Sequence, residues 1–217
     1  MKKIFPVGLF LLFLIFLGGF FILKKEKLEK IPKEGGEIKE METQTLGKVL
    51  IVLAPKNFRD EEYQKPRQVL EEAGFEIEVA SKGVSEAEGT FGAKAEVDKD
   101  ISQINVDDYL GVVFVGGTGA AIYFEDQNAL SLAKTAFEKG KVVGAICIAP
   151  SILANAGILQ GKKATAFSSE EGNLTAKGAQ YTGELVTVDG KIITANGPQV
   201  AEEFGREIVD KLKNKSE

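Results

Sequence analysis

Three apolar runs, each the length of one buried strand, constrain the fold of this chain more than any other feature. They are Lys48-Val49-Leu50-Ile51-Val52-Leu53-Ala54, Tyr109 to Val115, and Lys141 to Ile146. None alternates polar with apolar residues, so neither face of these strands is wet, as in a parallel sheet covered by helices on both sides. Between them, Asp60 to Ala73 reads as a helix stopped by Gly74, and Phe75 to Ala80 as a further strand. Gln127 to Lys139 reads as a helix stopped by Gly140, and Pro150 to Ala156 as a helix that starts almost where the third run ends. A hairpin over Glu184 to Val188 and Lys191 to Ala195, turning at Asp189-Gly190, and a helix from Gln199 to Lys213 close the chain. Strand and helix alternating in this way predict a doubly wound, mostly parallel α/β sandwich with helices on both faces.

The amino terminus follows a different rule. Ile4 to Leu23 is an uncharged stretch of 20 residues holding six of the 14 Phe, with Lys2 and Lys3 before it and Lys24 and Lys25 after it. As a helix it would cross a hydrocarbon layer of about 30 Å. Cleavage as a secretory signal is the alternative, but Leu17-Gly18-Gly19 is a poor cleavage site. Lys24 to Gly47 then carries six Lys and six Glu with Pro32 and Gly35-Gly36, the composition of a hydrated tether. The expected organisation is therefore residues 1–23 as a single membrane anchor, 24–47 as a tether and 48–217 as the α/β domain. The order of charge then apolar run favours an extracytoplasmic domain.

Composition removes several functions. The chain has no His, which excludes a Ser-His-Asp triad, a Cys-His dyad and a His-ligated metal. One Cys excludes an intrachain disulfide and a Cys-based zinc site. A net charge of −5 without a long basic run excludes the electrostatic footprint of a nucleic-acid binder. No cofactor and no metal are expected.

In open α/β sheets ligands sit beyond the carboxyl ends of the strands, and three such ends are informative. Val142 to Ile146 runs directly into Cys147-Ile148-Ala149-Pro150, the pattern of a nucleophile elbow whose following amides favour a thiolate. The plainer alternative is a small buried hydrophobe. On the first helix the inward stripe collects Glu62, Pro66, Val69, Leu70 and Ala73, which makes Glu62 the one charge on the apolar face. A carboxyl group so placed needs a partner or a raised pKa, unless it lies there only for the helix dipole. Finally, Val115-Gly116-Gly117-Thr118-Gly119 lets backbone approach closely after a central strand, without the spacing of a dinucleotide fingerprint.

Together, Glu62 early in the first helix, Gly116-Gly117 after a central strand, and Ala145-Ile146-Cys147 at an elbow followed by Pro150 resemble the ThiJ/PfpI superfamily, a flavodoxin-like sandwich of the class I glutamine-amidotransferase type. The resemblance spans Lys48 to Lys213 and includes Asn196-Gly197-Pro198 before the last helix. It implies that Cys147 is the reactive thiol, that Glu62 is the carboxyl group hydrogen-bonded to it, and that the amides around Gly116, Gly117 and Ile148 form an oxyanion pocket. It also implies a homo-oligomer, for which Phe58, Tyr63 and Gly197-Pro198 form the expected patch. Members of protease type place a histidine where this chain has Ile148, and others place one where it has Phe167 or Ser168. Without imidazole, peptidase chemistry is not expected. The reading is an enzyme acting through Cys147 and Glu62 on small reactive carbonyl compounds, of glyoxalase, deglycase or hydratase kind. The alternative is a non-enzymatic redox-sensing or chaperone-like domain tethered to a membrane. Amides at the elbow are expected to lower the Cys147 pKa below the free thiol value of about 8.5, with Glu62 protonated beside it.

Overall fold

The structure, a computed structural model, describes residues 45–214. The anchor expected over Ile4 to Leu23, and the tether up to residue 44, lie outside the described residues. Among the described residues no helix is long and apolar enough to cross a membrane.

The chain begins with β1 (Lys48–Val52) and the short β2 (Lys56–Phe58), then α1 (Asp60–Glu72), β3 (Glu76–Ser81), β4 (Glu86–Gly89), β5 (Lys94–Glu96) and β6 (Lys99–Asp100). β7 (Gly111–Phe114), α2 (Gln127–Glu138), β8 (Val142–Ile146) and α3 (Pro150–Asn155) follow. After β9 (Lys163–Ala164) come α4 (Glu171–Ala176), β10 (Gln180–Tyr181), β11 (Val186–Asp189), β12 (Ile192–Ala195) and α5 (Ala201–Lys213).

Seven strands form the main sheet in the order β11-β12-β8-β7-β1-β3-β6. All neighbours run parallel except β11 against β12. The chain builds outward from β1 in one direction through β3 and in the other through β7, so the crevice between β1 and β7 is the switch point of the topology. The doubly wound α/β architecture is as expected.

The strands read as apolar on both faces because both are covered. Leu50 and Val52 of β1 join the core of α2 and α3, with Leu132, Ala133, Ile152 and Leu153. Val49 and Ile51 face the opposite way, toward Leu70 of α1 and Phe204 and Ile208 of α5. Each such side chain taken fully from water contributes about 1.5–3 kcal/mol. The hairpin turn falls one residue later than expected, since Asp189 pairs with Ile192 and ends β11.

Two small sheets escape the sequence pattern. β2, β4 and β5 form a separate small sheet, and β9 pairs with β10. These strands are two to four residues long. In β4 and β5 a buried Ala alternates with exposed charges, which leaves no run for a period to show. The patch expected to bind a second copy is also corrected. Phe58 and Tyr63 are 0% and 4% exposed and belong to the core beneath α1 and α5, and Gly197 is buried as well.

Candidate active site

The elbow after β8 is strained in the way its residues suggested. β8 is buried throughout, and Cys147 directly after it has φ +64°, one of two non-glycine residues in the left-handed region among the described residues. That conformation costs a non-glycine residue about 1–3 kcal/mol and persists only where its surroundings hold it. Two backbone bonds do so here. Cys147 N donates to the Ala195 carbonyl at the end of β12 at 2.8 Å, and its carbonyl accepts from Phe167 N at 2.8 Å. Pro150 occupies the first turn of α3, where its missing N–H costs nothing.

β7 delivers Gly116-Gly117 to the same place. Gly117 has φ +87° and packs so closely that a Cβ there would lie 2.4 Å from Arg59 N, while the Gly116 carbonyl accepts from Arg59 N at 3.1 Å. At Gly116 a Cβ would lie 2.6 Å from Cys147 Cβ and 2.6 Å from Glu62 Oε2. The sequence therefore brings Cys147, Glu62, Gly116, Gly117 and Ile148 together. The amides of Gly117 and Ile148 face the thiol.

Glu62 is 0% exposed in the first turn of α1, and neither carboxyl oxygen makes a hydrogen bond of normal geometry. The polar groups turned toward it are the Cys147 thiol and the Gly116 amide. Burial pushes its pKa up from 4.5 to about 7, against the pull of the thiol and of the nearby Arg59 charge. Pro66, one turn on, lacks the N–H that would bond the Glu62 carbonyl within the helix.

The expectation of a depressed thiol pKa is overturned. Burial and the Glu62 negative charge push Cys147 up to about 12, and the Gly117 and Ile148 amides oppose this without cancelling it. Taking an anion out of water outweighs two amides while Glu62 is ionised.

Glu62 is not the only buried acid of α1. Asp60 is 6% exposed and accepts from Phe91 N at 2.9 Å and Ala93 N at 2.8 Å. Burial alone would raise its pKa; the amide bonds outweigh that and hold it below 3.8. Its role was invisible in sequence, where an Asp opening a helix reads as a partner for the dipole. Arg59 donates from Nε to Glu61 Oε2 at 2.8 Å and stacks its Cζ 4.5 Å from the centre of the exposed Phe91 ring. Phe167 stands 48% exposed beside the elbow. A cavity of about 340 Å³ lined by Lys56, Asn57, Thr118 and Ile122 opens on the loop after Gly117. Among the described residues no three acidic or thiol side chains converge to hold a metal ion.

The chain is similar in sequence and fold to proteins of several organisms. A protein of Methanocaldococcus jannaschii is 43% identical over 173 residues, 78% of this chain and 84% of that one. A deglycase of Pyrococcus horikoshii is 31% identical over 164 residues, 76% of this chain and 99% of its own length. The crystal structure of a ThiJ/PfpI domain protein from Brachyspira murdochii superposes with a TM-score of 0.77 at 33% identity, covering 79% of this chain and 99% of that one. The DJ-1/PfpI family model matches residues 47–211, so the chain belongs to the DJ-1/PfpI family.

Proposed function

We propose that the protein is an enzyme acting on small reactive carbonyl compounds, with Cys147 as nucleophile and Glu62 as the proton-transferring group. The observation that carries this reading is a thiol on a strained elbow packed against a carboxyl group that titrates at about 7. Such a carboxyl group can give and take protons near neutral pH, the role that imidazole fills elsewhere. Ionised Glu62 with the thiol, and protonated Glu62 with the thiolate, carry the same charge. A proton passing between them yields thiolate without exchange with solvent.

The thiolate adds to the aldehyde carbon of a 2-oxoaldehyde, and the displaced electron pair settles on oxygen, facing the Gly117 and Ile148 amides. Glu62 gives the thiol's proton to that oxygen, leaving a hemithioacetal. Ionised again, it takes the hydrogen on that carbon as a proton and returns it to the neighbouring carbon, while the hydroxyl proton passes to the neighbouring oxygen. A thioester results, and water releases it as a 2-hydroxy acid with no external oxidant or reductant. The relative from Pyrococcus horikoshii bears the name deglycase, which agrees with carbonyl-directed chemistry.

The test is turnover of methylglyoxal and of glycated amines by the full-length chain, followed as 2-hydroxy acid or free amine. Cys147→Ser is expected to fall to background, and Glu62→Gln to lower kcat by about 10²–10⁴. A wild-type chain that turns over none of these substrates sinks the reading.

On sequence alone we also propose that residues 4–23 hold the chain in a membrane with the domain outside the cytoplasm, and that the chain forms a homo-oligomer. Full-length protein recovered uncleaved in the soluble fraction rules out the first. A monomer by light scattering at high micromolar concentration rules out the second.

A further inference from the structure

At the end of the sheet opposite Cys147, where β1, β3, β7, β8 and β12 begin, a second cavity of about 620 Å³ opens. Sites for small molecules commonly measure about 300–1,000 Å³. Its floor is apolar. Phe75, Leu110 and Leu212 line it, with Leu46 at the edge. Leu46 and Leu110 remain 54% and 36% exposed, so the floor is open to solvent on one side.

Its rim is cationic. Lys141, Lys191, Lys211 and Lys213 stand around the floor, and no carboxylate lines the cavity among the described residues. In a chain of net charge −5 this is a local inversion of sign. Lys211 and Lys213 belong to the last turn of α5, where cations offset the negative helix end. That accounts for two of the four. Lys141 precedes β8 and Lys191 precedes β12, so three separate elements bring their charges to one mouth. Lys191 Nζ is held over the mouth by donating to the Gly140 carbonyl at 2.8 Å, which leaves two of its three protons for a ligand.

We propose that this cavity binds a single-chain amphiphilic carboxylate, the chain lying on Phe75, Leu110 and Leu212 and the carboxylate among the lysines. A neutral chain of the same length would cover the floor and leave the lysines unanswered, and a small inorganic anion would meet the rim alone. The proposal is independent of the chemistry at Cys147, which sits at the carboxyl ends of the same strands.

The full-length chain is to be photolysed with a diazirine-bearing dodecanoate and the adducts mapped by peptide mass. Adducts are expected on the peptides that hold Leu110 and Leu212. Unlabelled dodecanoate should displace them, at least about tenfold better than dodecanol does. The double variant Lys141→Glu, Lys211→Glu should lose labelling at those peptides by about tenfold or more, and Lys141→Gln, Lys211→Gln, which removes the charge gently, by a smaller factor in the same direction. Adducts confined to residues 4–23, equal competition by dodecanol, or labelling indifferent to both variants would overturn the proposal. So would protection of the Leu110 peptide that follows dimer formation in light scattering, since a second copy would then be the occupant.

Discussion

The Cys147 side chain and the Glu62 carboxyl group meet across the bare face of Gly116, where a methyl group would lie 2.6 Å from each. The two residues come from different elements, one after β8 and one in the first turn of α1, and β7 supplies the gap between them. Gly116→Ala is therefore expected to push the two groups apart. Overpacking in a closed interior costs about 1–3 kcal/mol. The check is a fall in urea midpoint together with a change in thiol reactivity; a variant with wild-type values for both would show that the gap has no role in joining the pair.

The pH profile of alkylation reports on the pair directly. In the wild type the first proton leaves the two groups together at about 7, and the thiol alone is held up near 12. The rate of reaction with iodoacetamide is expected to rise through about pH 7 and then level off, because the thiolate with protonated Glu62 is a fixed fraction of the singly ionised pair. Glu62→Gln removes that step and also the negative neighbour. Its profile should show a single midpoint below that of the wild-type thiol. Identical profiles for the two proteins would separate Glu62 from the thiol chemistry.

Glu62 also links stability to pH. Its folded pKa of about 7 stands above the ordinary 4.5, so the folded form keeps a proton that the unfolded chain loses. Below pH 4.5 both forms are protonated and the carboxyl group carries no penalty. As pH rises from 4.5 through 7 the folded state loses about 3 kcal/mol relative to the unfolded one, and the loss then levels off. Glu62→Gln has no such dependence. Compared with the wild type at each pH, it should gain about 3 kcal/mol between pH 4 and pH 8 in urea denaturation. A constant difference between the two proteins over that range would contradict the raised pKa.

The long elements were legible because each had a run to show. β1, β7 and β8 are apolar on both faces, and α1 and α5 pack one stripe against the sheet. Glu62 stood out as a charge on such a stripe, and Cys147 as a thiol at the end of a buried run. The small sheet of β2, β4 and β5 had no such signal, because its strands are three or four residues long and each buries only one or two of them. The direction of the thiol pKa was misread for a related reason. Local geometry shows amides at the elbow, whereas the depth of burial and the nearness of Glu62 depend on three elements far apart in sequence.

Asp60 illustrates the same gap and gives a last expectation. Its carboxylate accepts from Phe91 N and Ala93 N, in the turn between β4 and β5, and so ties the small sheet to the start of α1 two residues before Glu62. Asp60→Ala leaves both amides without their partner and is expected to cost about 1.5–3 kcal/mol, the range for hydrogen bonds to a charged group. Asp60→Asn keeps one acceptor oxygen and should cost less. Because the folded pKa lies below 3.8, the stabilisation is present above that pH and is lost as pH falls through the lower folded value. The difference between the wild type and Asp60→Ala should thus narrow at strongly acidic pH. Hydrogen exchange at Phe91 and Ala93 gives a local reading of the same tie, and it should speed up in Asp60→Ala well before the main sheet opens. Unchanged protection at those two amides would mean that the turn is held by other contacts.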